Sequence, residues 1–283
     1  MTADLHIHTT ASDGRLAPED ILERAAAAGL AYIAITDHDT VDGLLRLQNS
    51  SPARPGQPVI LSGIEFSADF PDNEVHILGY GFDPLRPELQ RQLELLTRDR
   101  LTRAERMTAK LAALGYPVSF SRVLEIAGGA ASVGRPHVAA ALVEKGYFPT
   151  VSAVFEALLE KNKPGYLPHY KIPARDIIKL IQAAGGIPVL AHPALVGDDR
   201  LVREIVRLGI GGIEVYHPEH TPRQIQHYLA LADETRLLVT GGSDFHAIPG
   251  RYPERLGEFT ISAQLALRLI SSCSTHETDG SGI

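Results

Sequence analysis

Six short apolar runs of strand character each deliver a histidine, aspartate or glutamate at or just beyond their ends. They are the segments 4–14 (DLHIHTTASDG), 36–39 (TDHD), 63–65 (GIE), 75–76 (VH), 191–193 (AHP) and 243–246 (SDFH). Strand exits are where open α/β sheets and barrels gather their catalytic groups. Residues i and i+2 of a strand face the same side, so His6 and His8 can reach one ion, and so can Asp244 and His246. Imidazole and carboxylate together suit Zn, Mn or Fe without a thiolate. A single such residue at a strand end is ordinarily a cap or hydrogen-bonding group. Independent accidents at six strand ends are a poorer explanation than a shared multinuclear metal site.

The rest of the chain fits that geometry. Strands are expected at 3–8, 32–36, 59–61, 75–80, 187–191, 212–216 and 237–240. A helix is expected at 18–28, with Pro18 at its first position and Gly29 at its stop. Such βα alternation predicts a parallel sheet or barrel. Between about Arg100 and Lys163 the pattern becomes helical, with apolar spacing in Met107, Leu111 and Leu114, then Val138, Ala141 and Leu142, then Val154, Leu158 and Leu159. The expected organisation is therefore a barrel in two parts, 1–99 and 166–270, a helical insertion at 100–165 over the site, and a disordered Ser, Thr and Gly-rich tail at 271–283.

Composition limits the setting. With 283 residues and 44% hydrophobic, the chain can bury a large core as one domain with an insertion, or as two. The lone cysteine, Cys273, excludes a disulfide within the chain. No apolar run approaches the roughly 18 residues of a membrane span, and no secretory signal is evident, so a cytoplasmic enzyme with no membrane partner is expected. The net charge of -7 opposes a broad surface for long duplex nucleic acid, but not a nucleotide or short RNA held through metal ions.

The motifs at 4–8, 12–14, 36–39, 63–65, 191–193 and 243–246, with His76, together resemble the PHP family, the polymerase and histidinol phosphatase superfamily. The segments 134–137 (GRPH), 163–166 (KPGY) and 168–169 (PH) resemble the branch that contains 3',5'-nucleoside bisphosphate phosphatases and a 5'-3' exoribonuclease. The resemblance implies an α/β fold, a distorted (β/α)7 barrel with a helical insertion. It also implies two or three divalent ions, Mn²⁺ first and Fe²⁺ or Zn²⁺ as alternatives. The implied ligands are His6, His8, Asp13, His38, Glu65, His76, His192, Asp244 and His246, with Glu65 as the bridge. A water held between such ions loses its proton near neutral pH and becomes the nucleophile at phosphorus. Asp13, His192, Asp244 and His246 are the candidate catalytic residues, the first two and His246 for proton transfer to the leaving alkoxide.

The expected reaction is hydrolysis of a small nucleotide phosphate, a 3',5'-bisphosphate to its 5'-monophosphate, or cleavage of short oligoribonucleotides. The alternatives are a phosphatase of a non-nucleotide metabolite such as histidinol phosphate, and a non-catalytic metal-binding module; the intact ligand set weighs against the module. Arg135 is the first choice for phosphate capture because a guanidinium grips two oxygens at once. His137, Lys163 and His169 are second choices, and His217 is either a substrate contact or a loop residue without a role. Asp37 and Asp39 are expected to orient metal-bound imidazoles. Tyr166 is expected either to stack on a base or to lie in the core, His220 and His227 to be solvated, and His276 to lie in the tail.

Overall fold

A computed structural model of the chain describes residues 1–50, 55–70, 73–130, 132–168, 170 and 172–276. His169 and residues 277–283 lie outside the described set. Seven strands form a nearly closed barrel-shaped wall: β1 (Thr2–Ile7), β2 (Leu30–Ile35), β3 (Val59–Phe70), β4 (Asn73–Tyr80), β6 (Ile187–Leu190), β7 (Gly212–Tyr216) and β8 (Leu238–Gly241). Helices α1 (Pro18–Ala27), α2 (Asp42–Ser50), α7 (Ala174–Ala183), α8 (Asp199–Arg207) and α9 (Pro222–Thr235) connect successive wall strands. Two short strands lie outside this ring: β5 (Ile172–Pro173) pairs with the end of β3, and β9 (Ile261–Ser262) pairs antiparallel with the start of β1.

The strand pairs β1–β2, β2–β3, β6–β7 and β7–β8 are parallel, whereas β4 is antiparallel to both β3 and β6. This corrects the expectation of uniform βα alternation. β3 runs on past Leu61 because Ile64, Phe66, Ala68 and Phe70 are buried and alternate with Glu65, Ser67 and Asp69. That period of two lets the strand pair with β4 from Gly63↔Tyr80 to Phe70↔Asn73. The register puts Ser67 opposite His76, so Glu65 and His76 share one face of the wall.

The last gap in the wall closes beyond β8. The His8 N–H donates to the Phe245 carbonyl at 2.9 Å, and Phe245 N–H donates to the His6 carbonyl at 3.3 Å. Gly242 makes this seam possible, since a Cβ there would lie 2.3 Å from the His6 backbone nitrogen and 2.4 Å from its Cβ. Replacing Gly242 by Ala should lower stability by about 3 kcal/mol or more, because backbone rather than a flexible side chain would have to move. A urea melt with an unchanged midpoint would contradict so tight a seam.

Between β4 and β5 the described chain is helical: α3 (Pro87–Ala113), α4 (Phe120–Ala127), α5 (Arg135–Glu144) and α6 (Val151–Val154), the last continuing into a π-helical turn at Phe155–Leu159. The first helix begins at Pro87 rather than near Arg100 and crosses from one core to another. Its Leu89, Leu93 and Leu96 pack with Phe66, Ile77 and Ile177 of the barrel. Its Ala104, Met107 and Leu111 pack with Val123, Val138, Leu142 and Leu158. The helix α10 (Ala263–His276) covers six positions that were expected to be tail, because Ala266 and Leu269 bury against Ala3 and Leu5 of β1.

Candidate metal centre

Alternation along β1 puts Asp4, His6 and His8 on one side, and all three are 0% exposed. Asp4 anchors the far end of the chain, accepting from Ser243 N–H at 2.9 Å and from the Ser243 hydroxyl at 2.5 Å. Burial pushes its carboxyl up to about 6. The same turn brings Asp244 to the histidines of β1. Its Oδ1 lies 3.4 Å from His6 Nε2 and 3.2 Å from His8 Nε2.

Glu65, 1% exposed, is the hub. Its Oε2 lies 3.2 Å from each of His6 Nε2, His8 Nε2 and His38 Nδ1. Its Oε1 lies 2.8 Å from His76 Nδ1 and 3.0 Å from His192 Nε2. The two oxygens of one carboxylate thus face two groups of imidazoles. On the other side of His8, Asp13 Oδ1 lies 3.3 Å from His246 Nε2, and Asp13 Oδ2 lies 4.0 Å from His38 Nε2.

Three sets of ligand atoms lie within 4.8 Å of one another: His6, His8, Glu65 and Asp244; His8, Asp13, His38 and His246; and His38, Glu65 and His76. His192 reaches the same Glu65 oxygen as His76. The buried nitrogens His8 Nδ1, His8 Nε2 and His38 Nδ1 make no well-aligned hydrogen bond among the described residues, although the last two lie 3.2 Å from carboxylate oxygens. Buried polar atoms are normally satisfied, so these fit a cation that supplies the missing bond.

The electrostatics agree. Burial opposes ionisation of Glu65, Asp13 and Asp244, yet the histidines around each hold all three well below the usual carboxylate range. Against burial, Glu214, Glu65 and Asp244 raise His6 well above the ordinary histidine value, and Asp244 and Glu65 raise His8 to about 9. His38 behaves oppositely although it touches the same Glu65 oxygen: burial takes it down to about 3 against the pull of Glu65 and Asp13. A cavity whose carboxylates stay ionised and draw protons onto their neighbours is one built for positive charge.

Backbone strain collects in the same place. Asp39 (φ 54), His192 (φ 26) and Asp244 (φ 50) occupy the left-handed region, which costs about 1–3 kcal/mol for a residue with a Cβ. Each strained turn carries or adjoins a residue of the cluster.

The nine expected ligands therefore come together, and Asp13, His192, Asp244 and His246 also line an open cavity of about 1000 Å³. Arg135 lines it too, and its guanidinium lies 5.6 Å from the Phe155 ring centroid and 5.8 Å from that of Tyr166. Tyr166 also carries Arg103 at 5.7 Å, so the ring serves two cations. His137 departs from expectation. Its Nδ1 accepts from Gly134 N–H at 3.1 Å to cap α5, and it does not line the cavity. Lys163 sits in the turn after the π-helical segment and likewise does not line it.

His217 is 2% exposed, and its Nδ1 accepts from Glu219 N–H at 3.1 Å. Its proton is consequently on Nε2, which lies 3.7 Å from Asp244 Oδ2. It backs Asp244 and is not among the residues that line the cavity. His220 is 7% exposed, not solvated, and donates from Nδ1 to the Val215 carbonyl at 2.8 Å. His227 is half exposed and pairs with Asp199 at 3.0 Å. Asp37 and Asp39 do not orient imidazoles. Asp37 accepts from Thr9 N–H, the Thr9 hydroxyl and the Ser12 hydroxyl, shaping the loop that carries Asp13. Asp39 holds Arg100 and Ser67 N–H.

Three residues had no assigned role in the sequence reading. Glu214, 0% exposed, accepts from His6 Nδ1 at 3.0 Å and from His192 N–H at 2.8 Å. Arg251 donates to Asp244 Oδ2 at 2.5 Å, and Arg100 braces Asp39. The available signal for Glu214 was a carboxylate inside an otherwise apolar strand, Gly212–Tyr216. The two arginines sit at ordinary surface-like positions in the sequence and gave none.

A PHP domain model matches residues 4–172. The chain is 36% identical over 252 residues to a 3',5'-nucleoside bisphosphate phosphatase of Chromobacterium violaceum, covering 87% of each. It is 35% identical to a phosphoribosyl 1,2-cyclic phosphate 1,2-diphosphodiesterase of Eggerthella lenta, covering 89% of this chain and 97% of the relative. It is 33% identical to the 5'-3' exoribonuclease Rnm of Salmonella typhimurium, covering 86% and 84%. A solved structure described as a metal-dependent phosphoesterase, from Bifidobacterium adolescentis, superposes with a TM-score of 0.83 at 30% identity and covers 95% of each chain.

Proposed function

This chain belongs to the PHP domain family, and on that premise we propose that it is a metal-dependent phosphoesterase acting on 3',5'-nucleoside bisphosphates to give the 5'-monophosphate. Short oligoribonucleotides attacked from the 5' end are the second substrate class. The observation that carries the reading is the clustering of nine imidazole and carboxylate side chains, Glu65 and Asp13 among them, at the floor of a cavity that also contains Arg135. No helix among the described residues is long and apolar enough to cross a membrane.

Two to three divalent ions, Mn²⁺ first and Fe²⁺ or Zn²⁺ next, suit this donor set. His6, His8, Asp244 and Glu65 Oε2 would hold one; His76, His192 and Glu65 Oε1 a second; Asp13, His38 and His246 a third. Ions so held supply Lewis acidity toward phosphate oxygens and lower the pKa of a water ligand.

The protein's own groups do the positioning. His217 and Arg251 both engage Asp244 Oδ2, which leaves Oδ1 facing His6 and His8. His246 donates from Nδ1 to the Asp244 carbonyl at 2.8 Å, which turns its Nε2 toward Asp13. Arg135, stacked between Phe155 and Tyr166, is preset to bind the phosphate that is not cleaved.

Loss of a charge-assisted bond of about 1.5–3 kcal/mol should raise KM for a bisphosphate roughly tenfold to a hundredfold in Arg135→Ala, with kcat little changed. An unchanged KM would remove Arg135 from the site. The substrate assignment is tested with Mn²⁺ by phosphate release from adenosine 3',5'-bisphosphate, 5'-AMP and histidinol phosphate, by ring opening of a ribosyl 1,2-cyclic phosphate and by mononucleotide release from a short RNA. The bisphosphate should give the highest kcat/KM. Preference for histidinol phosphate or the cyclic phosphate would overturn the assignment.

A further inference from the structure

We propose that Glu214 is a positioning residue that joins two of the ion sites into one unit, so that their ions bind and leave together. The proposal rests on the reading of His6, His76 and His192 as ligands.

Glu214 lies in β7, behind the cluster, and touches neither the cavity nor Glu65. Each of its oxygens has one task. Oε1 accepts from His6 Nδ1 at 3.0 Å, which fixes the imidazole so that Nε2 points at Glu65 Oε2 and Asp244 Oδ1. Oε2 accepts from the His192 backbone N–H at 2.8 Å, in the turn where His192 holds its φ of 26. From that turn the His192 ring reaches Glu65 Oε1 at 3.0 Å. One rigid carboxylate therefore sets a ligand on each side of Glu65, and Glu65 links the two sides again.

Stability alone does not explain such a residue. A fully buried carboxylate carries a desolvation penalty that an apolar side chain of similar size avoids. Partners that orient metal-bound histidines are worth about tenfold to a hundredfold in metal affinity. In Glu214→Gln the amide oxygen takes the place of one carboxylate oxygen and accepts from one of the two donors, while the NH₂ group faces the other. Misplacing either histidine strains both sides through Glu65.

The test is a titration of metal-free protein with Zn²⁺ against a chromogenic chelator, in the wild type, Glu214→Gln and Asp13→Ala. In Glu214→Gln two ions should weaken in parallel by about tenfold to a hundredfold, with the third unchanged. In Asp13→Ala a single ion should be lost and the other two should bind as in the wild type. Metal-free Glu214→Gln should still melt cooperatively, lowered by no more than one lost buried hydrogen bond requires, so that the affinities are read on folded protein; a purely structural role would lower the melting temperature and leave both affinities unchanged. Wild-type affinity in Glu214→Gln, or weakening of one ion alone, would overturn the proposal. A second measurement needs no variant: ¹⁵N–¹H correlation of the Zn²⁺-loaded wild type should show His6 protonated on Nδ1, and an Nε2–H tautomer would overturn it. A wild type that takes up no Zn²⁺ would sink the ligand assignment itself, a failure distinct from that of Glu214.

Discussion

Replacing Glu65 by Ala should reduce phosphate release from every substrate by at least about a thousandfold, the equivalent of several kcal/mol of lost transition-state stabilisation. Five imidazole nitrogens lie 2.8–3.2 Å from its two oxygens, so its removal takes a ligand from two of the three proposed sites at once. The effect should appear in kcat as well as in kcat/KM, in contrast to the KM effect expected for Arg135→Ala. Metal content measured on the same preparation should fall by at least one ion per chain. Activity within tenfold of the wild type would mean that the carboxylate is not the bridge.

The second large effect concerns stability. Arg100 joins the insertion helix to the barrel: its Nε donates to Asp39 Oδ2 at 2.7 Å and its Nη2 to Ser67 Oγ at 3.0 Å, with Nη2 also on the Asp39 carboxylate. The side chains are 10% and 0% exposed, so neither partner is compensated by bulk water if the other is lost. Arg100→Met should destabilise the protein by about 3–5 kcal/mol. That corresponds to a fall in melting temperature of roughly 6–20 °C. Adding Asp39→Asn should restore part of the loss, because the unpaired buried charge is then removed and Asn tolerates a positive φ. A circular dichroism melt that places Arg100→Met within about 1 kcal/mol of the wild type would show that the bridge is not a principal fastening.

The parts of the fold that could be read from the sequence were those with local signals. His6-x-His8 lies at the exit of β1, where a period of two puts both rings on one side. Asp244 and His246, expected to share a strand face, instead lie in a turn beyond β8 with Asp244 at φ 50 and fall in different ligand sets. The Pro18 and Gly29 punctuation located α1 closely. What escaped depended on partners far away in the chain. The antiparallel course of β4 follows from pairing within 63–80, where Glu65, Ser67 and Asp69 interrupt the apolar run that marked β3 only as far as Leu61. Glu214 meets His6 across 208 positions of sequence, and nothing near it announces that contact. His137 carries an ambiguous local signal: a histidine after Pro136 at a helix start can contact phosphate or cap, and here its Nδ1 accepts from the Gly134 N–H. The last turns of α10 were hidden because Ser, Thr and Cys are weak helix formers, and packing on β1 outweighs that preference.

Metal analysis of protein purified without chelator is the most direct test, combined with removal and return of the ions. Two to three divalent ions per chain should be found. Stripping them should abolish phosphate release, and Mn²⁺ should restore it. One ion or none per chain, or phosphate release that survives complete stripping, would contradict a phosphoesterase built on Glu65 and Asp13.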